Sequence, residues 1–169
     1  GNFDEANDMA FKIYNKNKKN DRICRIIGEI YLKKNTYKES EKFFKKAIKL
    51  KPNKNYYFSL GNLYLQQKYY KKAEKFFKKT IIKDKNDSVA INNLAFCYFK
   101  IGKYEKAIKF LYNALALDNK NHFIMYNLAN AYKDIDELEK AEEFYNKALK
   151  FNPKNQHYLF NKSLVLLKK

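Results

Sequence analysis

Along residues 92–121 the apolar side chains recur at intervals of three and four. Leu94, Cys97, Tyr98 and Ile101 come first; Ala107, Ile108, Leu111, Ala114 and Leu115 follow after Gly102. Such spacing gathers apolar positions on one face of an α-helix. It predicts two amphipathic helices joined by a short turn at Lys100-Ile101-Gly102-Lys103. The whole chain of 169 residues holds only four Gly and two Pro, too few for a hairpin-rich protein. Helices are predicted throughout.

The pattern then repeats. A small residue precedes a tyrosine in Ile26–Tyr31, Ser59–Tyr64, Asn93–Tyr98 and Asn127–Tyr132, and the small residues Gly28, Gly61, Ala95 and Ala129 lie 33 or 34 positions apart. Further series keep the phase: Tyr37, Tyr70, Tyr104, Leu138; Ser40, Ala73, Ala107, Ala141; Phe44, Phe77, Leu111, Tyr145; Ala47, Thr80, Ala114, Ala148. Small residues let paired helices approach, and the large residues beside them fill the remaining space. Asp87, Asn121 and Asn155 stand where an N-cap acceptor is wanted, and Pro52 and Pro153 fall in the predicted inter-repeat turns. Periods of this length mark stacked helical repeats.

These four in-phase copies resemble the tetratricopeptide repeat (TPR) family. The resemblance implies an all-α fold, a right-handed α-α superhelix (TPR solenoid) of antiparallel helix pairs. Residues 1–169 are expected to form a single TPR domain. Complete repeats are expected at 21–53, 54–87, 88–121 and 122–155, with a second helix alone at 3–20 and a first helix alone at 156–169. Phe3-Asp4-Glu5-Ala6 matches Tyr70-Lys71-Lys72-Ala73, which places the first helix of the chain in the second-helix phase. The solenoid is therefore expected to continue beyond both ends, and exposed apolar residues of the terminal helices are expected to self-associate in the isolated chain.

Composition narrows the chemistry. The net charge is +18, from 36 basic and 18 acidic residues, which admits an acidic partner or RNA. The joint enrichment in Lys, Asn, Ile, Tyr and Phe also fits an A/T-rich coding bias. Most of the positive charge lies in residues 1–121, on lysine-rich second helices such as Lys71, Lys72, Lys75, Lys78 and Lys79. Arginine is scarce, which argues against base-specific recognition. Cys24 and Cys97 occupy core phases and read as packing thiols of a reducing, intracellular (cytoplasmic or nuclear) environment. No apolar run is long enough to span a bilayer.

Little in the sequence suggests catalysis. His122 and His157 stand at helix starts without ligand-spaced companions, and the acidic stretch from Asp134 to Glu143 lacks the glycine and alternating oxygens of a calcium loop. No enzyme activity, cofactor or metal is expected. The candidate site is the face of the first helices, where TPR relatives hold extended peptides. Asn93, Asn127 and Asn161 share one phase, and Asn62 and Asn130 share another. An amide offers both a donor and an acceptor to a peptide backbone. Phe58, Phe96, Phe99, Phe123, Tyr126 and Phe160 fall in inner-face phases as aromatic anchors. The cation set that lets some relatives grip a C-terminal carboxylate is incomplete: Phe58, Phe123 and Asn127 stand where it needs cations. The expected function is a protein-interaction scaffold binding a partner segment. A structural segment of a larger assembly and a basic RNA-associated repeat protein are the alternatives.

Overall fold

The computed structural model describes residues 2–169, apart from the side chains of residues 2–4 and 6. Phe3, Asp4 and Ala6, part of the match that set the phase of the first helix, thus have side chains outside the described residues. Among the described residues there are ten helices and no strand. They form two compact units, Gly1–Lys85 and Asn86–Lys169. The N-terminal unit holds α1 (Asn2–Lys16), α2 (Asp21–Lys33), α3 (Tyr37–Leu50), α4 (Lys54–Gln66) and α5 (Tyr70–Lys83). The C-terminal unit holds α6 (Ser88–Lys100), α7 (Tyr104–Leu117), α8 (His122–Asp134), α9 (Leu138–Phe151) and α10 (Gln156–Lys168). The tightest pairings are α2 with α3, α4 with α5, α6 with α7 and α8 with α9. The chain is an all-α solenoid of helix pairs.

Each turn within a pair is built the same way. The backbone N–H of Thr36, Tyr69, Lys103 and Glu137 donates to the carbonyl of Tyr31, Tyr64, Tyr98 and Tyr132, five residues earlier. The residue before each donor has positive φ: Asn35 57°, Lys68 60°, Gly102 75° and Asp136 65°. This is the Schellman arrangement, which satisfies a carbonyl that the helix end would leave orphaned. The first helices start on a side-chain cap instead. Asp87 accepts from the Ala90 N–H, Asn121 from Phe123 and Ile124, and Asn155 from Tyr158, as the sequence predicts. Asn20 and Asn53 do the same ahead of α2 and α4.

Within the pairs, the small residues work through close approach. A Cβ added at Gly28 would meet the Phe44 ring at 2.6 Å, and one at Gly61 would meet Phe77 at 2.8 Å. Both rings are fully buried. The repeated tyrosines stack on a second aromatic twelve residues on. Tyr31 lies on Phe43, Tyr64 on Phe76, Tyr98 on Phe110 and Tyr132 on Phe144, with centroids 5.4–5.8 Å apart. Cys24 and Cys97 are buried, and burial pushes the Cys24 thiol up.

Candidate functional site

The first helices α2 and α4 in one unit, and α6, α8 and α10 in the other, carry the predicted site residues. In the N-terminal unit, α2 and α4 border an open cleft of about 260 Å³ lined by Glu29, Leu32, Lys33, Ser59, Asn62 and Gln66. The Glu29 carboxylate is held on both sides. Arg25 pairs with it along α2, and Ser59 Oγ donates to its Oε1 at 3.1 Å from α4. Asn62 thus lines the cleft, while the half-buried Phe58 ring sits edge-on to Phe77 at 5.7 Å.

At one end of the same pair of helices, the Tyr56 hydroxyl donates to Asp21. Burial, and then this bond, push the Tyr56 phenol up to about 12. The bond holds the Asp21 carboxyl below its ordinary value. In the C-terminal unit the same two helix positions hold His122 and Tyr158, with Nδ1 and Oη 2.8 Å apart.

In the C-terminal unit, Phe96, Phe99, Leu111, Asn127 and Asn130 close around a space of only about 10 Å³. That is about the room one water needs. The amides here are bonded across helices. Asn127 Nδ2 donates to Asn92 Oδ1 at 2.9 Å, linking α8 to α6, and the Tyr145 hydroxyl donates to Asn130 Oδ1 at 2.6 Å. Asn161 Nδ2 donates to the Tyr126 hydroxyl at 3.1 Å, and Lys133 Nζ donates to Asn161 Oδ1 at 3.2 Å. Tyr126 stacks on Tyr158 at 4.4 Å. The Lys100 ammonium lies 5.2 and 5.3 Å from the Phe96 and Phe99 rings. Asn93 is half-buried beside Asn92.

Phe96, Asn127 and Asn130 therefore share one closed cleft, and Tyr126 and Asn161 share a hydrogen bond. Asn62 and Phe58 belong to the other unit. Sequence reasoning placed Phe99 on this face and passed over Asn92 and Lys133. Asn92 adjoins Asn93, so helical spacing alone could have found it. Two aromatic residues on these helices are widely exposed: Phe123 at 59% and Phe160 at 62%.

The lysine-rich second helices are less open than their sequence suggests. Lys72 lies over the Tyr64 and Tyr69 rings, and Lys79 over Tyr57 and Phe76, at 4.9–5.6 Å. Lys140 and Lys147 repeat the arrangement over Tyr132 and Phe144. Lys45 and Lys78 pair with Glu41 and Glu74 one turn earlier. Among the described residues no group of three or more His, Cys, Asp or Glu could hold a metal ion, and no helix is long and apolar enough to cross a membrane.

The Tetratricopeptide repeat family model matches residues 87–154, and that of the Tetratricopeptide repeat protein 21 second ARM domain matches residues 18–112. Among solved structures, YrrB, described as a TPR protein with an unusual peptide-binding site, is 21% identical with a TM-score of 0.80. That alignment covers 96% of this chain and 84% of YrrB. One MamA structure is 25% identical with a TM-score of 0.78, covering 86% of this chain and 80% of MamA. Another is 19% identical with a TM-score of 0.79, covering 92% of each. No curated protein matches the chain.

Proposed function

The chain belongs to the tetratricopeptide repeat family, and from that membership we propose that it is a scaffold whose first-helix faces hold a segment of a partner protein. The observation that carries this reading is the pairing of exposed aromatics with fixed amides. Phe123 and Phe160 stand in solvent on α8 and α10, the helices that also carry Asn127, Asn130 and Asn161. Exposed rings anchor partners, and truncating such an anchor commonly costs about 2 kcal/mol or more. Amides already tied to a neighbouring helix lose little side-chain freedom on binding, which lowers the entropic cost of gripping a backbone. Phe96 and Tyr126 belong to the same face, and Asn62 and Phe58 to its counterpart in the N-terminal unit. The similarity to YrrB, itself described as peptide-binding, supports the reading at the level of fold.

A random-peptide display library panned against the whole chain supplies ligands for the test. Enriched peptides are titrated by fluorescence anisotropy at low and high salt. Asn93→Ala with Asn127→Ala is expected to weaken binding about tenfold, with little salt dependence. Lys71→Glu with Lys75→Glu, at exposed positions, is expected to leave it unchanged. The reverse pattern, together with a steep salt dependence, favours the basic face and an RNA or acidic partner.

A further inference from the structure

We infer that the cleft between α2 and α4 is the position on this face that selects a side chain of the partner, and that it selects an uncharged carboxamide, glutamine before asparagine. This rests on the reading above that the first-helix faces hold a partner segment. The two units present the same helix positions with different contents. Glu29 and Leu32 of α2 occupy the places that Phe96 and Phe99 hold on α6, counted from each helix start. Ser59 and Asn62 of α4 correspond to Asn127 and Asn130 of α8. Where two phenyl rings stand, about 10 Å³ remains; where a carboxylate and an isobutyl group stand, about 260 Å³ is open. Only the second space admits a side chain.

The lining chooses the chemistry. Both bonds that hold Glu29 fall on Oε1, from Arg25 and from Ser59. Oε2 is thus the acceptor Glu29 can offer to an incoming N–H. Gln66 adds an amide group, a donor and an acceptor, and Asn62 lines the cleft beside it. Leu32 supplies one apolar wall for a methylene stem.

A cationic side chain would meet Lys33 in the cleft and Arg25 beside it, in a unit with 23 basic and nine acidic residues. A carboxylate would lie against Glu29. An aliphatic side chain would strip water from Glu29 and the exposed Gln66 and return no hydrogen bond. A carboxamide donates to the carboxylate and accepts from an amide N–H. The longer stem of glutamine also reaches past Leu32.

The test uses peptides enriched from the random library by the whole chain. Aligned sequences are expected to show glutamine at one fixed position. Replacing it by Met, Glu or Lys is expected to weaken binding about tenfold. The double variant Glu29→Phe, Leu32→Phe copies the C-terminal unit's filling at matching positions. It is expected to bind the glutamine and methionine peptides equally while keeping the rest of the consensus. Gln66→Ala, at the exposed lip, is a second variant that leaves the core untouched. It is expected to narrow the glutamine-to-methionine ratio several-fold. A charged or aliphatic residue at that position, or a glutamine preference that survives both variants, overturns the inference and leaves the scaffold reading standing. A library that yields no enriched peptide overturns both.

Discussion

At the position where paired helices come closest, residues 1–85 place Gly28 and Gly61 against Phe44 and Phe77. Residues 86–169 place Ala95 and Ala129 there, with Leu111 and Tyr145 at the ring positions. On the first-helix faces, the N-terminal unit leaves a polar cleft open, while the C-terminal unit fills the matching cleft with Phe96 and Phe99 and knits its amides together. Charge differs too. The N-terminal unit has 23 basic residues to nine acidic; the C-terminal unit has 13 to nine. One backbone plan thus supports two surfaces. Gly28 with Phe44 and Ala95 with Leu111 form matched sets, Ala129 sits with Tyr145, and the groove positions differ between the units as well.

Gly28→Ala strikes hardest at the matched sets. The new methyl group would sit 2.6 Å from the Phe44 ring. Overpacking of this kind costs about 1–3 kcal/mol, against a helix-propensity gain of about 1 kcal/mol. A net loss of about 1–2 kcal/mol is expected in denaturant unfolding. Adding Phe44→Leu recreates the Ala95 and Leu111 set. The double-mutant cycle is expected to show at least about 1 kcal/mol of favourable coupling. Strict additivity would mean that glycine there serves something other than ring clearance.

Alkaline titration comes next. The Tyr56 phenol is pushed up to about 12, and those of Tyr64, Tyr132 and Tyr145 are also raised, chiefly by burial. The folded chain holds these protons more tightly than the unfolded one. Their stabilisation is therefore fully present below about pH 10, the ordinary tyrosine value, and is lost as pH rises through the raised values of the folded chain, about 12 for Tyr56. Asp21 runs the other way: its lowered carboxyl stabilises above the ordinary aspartate value and loses that effect as pH falls through its folded value. Tyr56→Phe is expected to soften both limbs in pH-dependent thermal unfolding, whereas Tyr158→Phe leaves the acid limb contributed by Asp21 in place.

The smallest effect is at the left-handed turn residue. Lys68 holds φ of 60° where Gly102 holds 75°. A residue with a Cβ is penalised there by about 1 kcal/mol. Lys68→Gly is expected to raise stability by a few tenths to about 1 kcal/mol, and Gly102→Ala to lower it by about the same amount. Equal, near-zero changes at both would show that the turn conformation carries little strain.

The plan of the fold was legible because packing repeats. Gly28, Gly61, Ala95 and Ala129 recur with the tyrosines that follow, and a period of 33 or 34 fits few architectures besides stacked helix pairs. The Tyr–Phe stacks were visible as a series (Phe43, Phe76, Phe110, Phe144) but hidden by the lysines around them. In the structure, Lys72 and Lys79 lie over the same rings that their charge distracted from. The caps Asn20 and Asn53 were obscured because asparagine crowds the turns. The groove was less legible. Shared phase placed the asparagines on one face, but a partner 35 residues away, as Asn92 is to Asn127, cannot be read from phase. Nor could the open and closed clefts, which depend on how Glu29, Leu32, Phe96 and Phe99 fill the space between neighbouring first helices.

The decisive measurement for a first-helix binding face is hydrogen–deuterium exchange of the whole chain, with and without a peptide enriched from the random library. Backbone amides of the first helices, α2 and α4 in one unit and α6, α8 and α10 in the other, are expected to gain protection on binding, while α5, α7 and α9 exchange as before. Protection centred on the lysine-rich helices α3 and α5, with α4, α6 and α8 unchanged, would contradict a binding face built from the first helices.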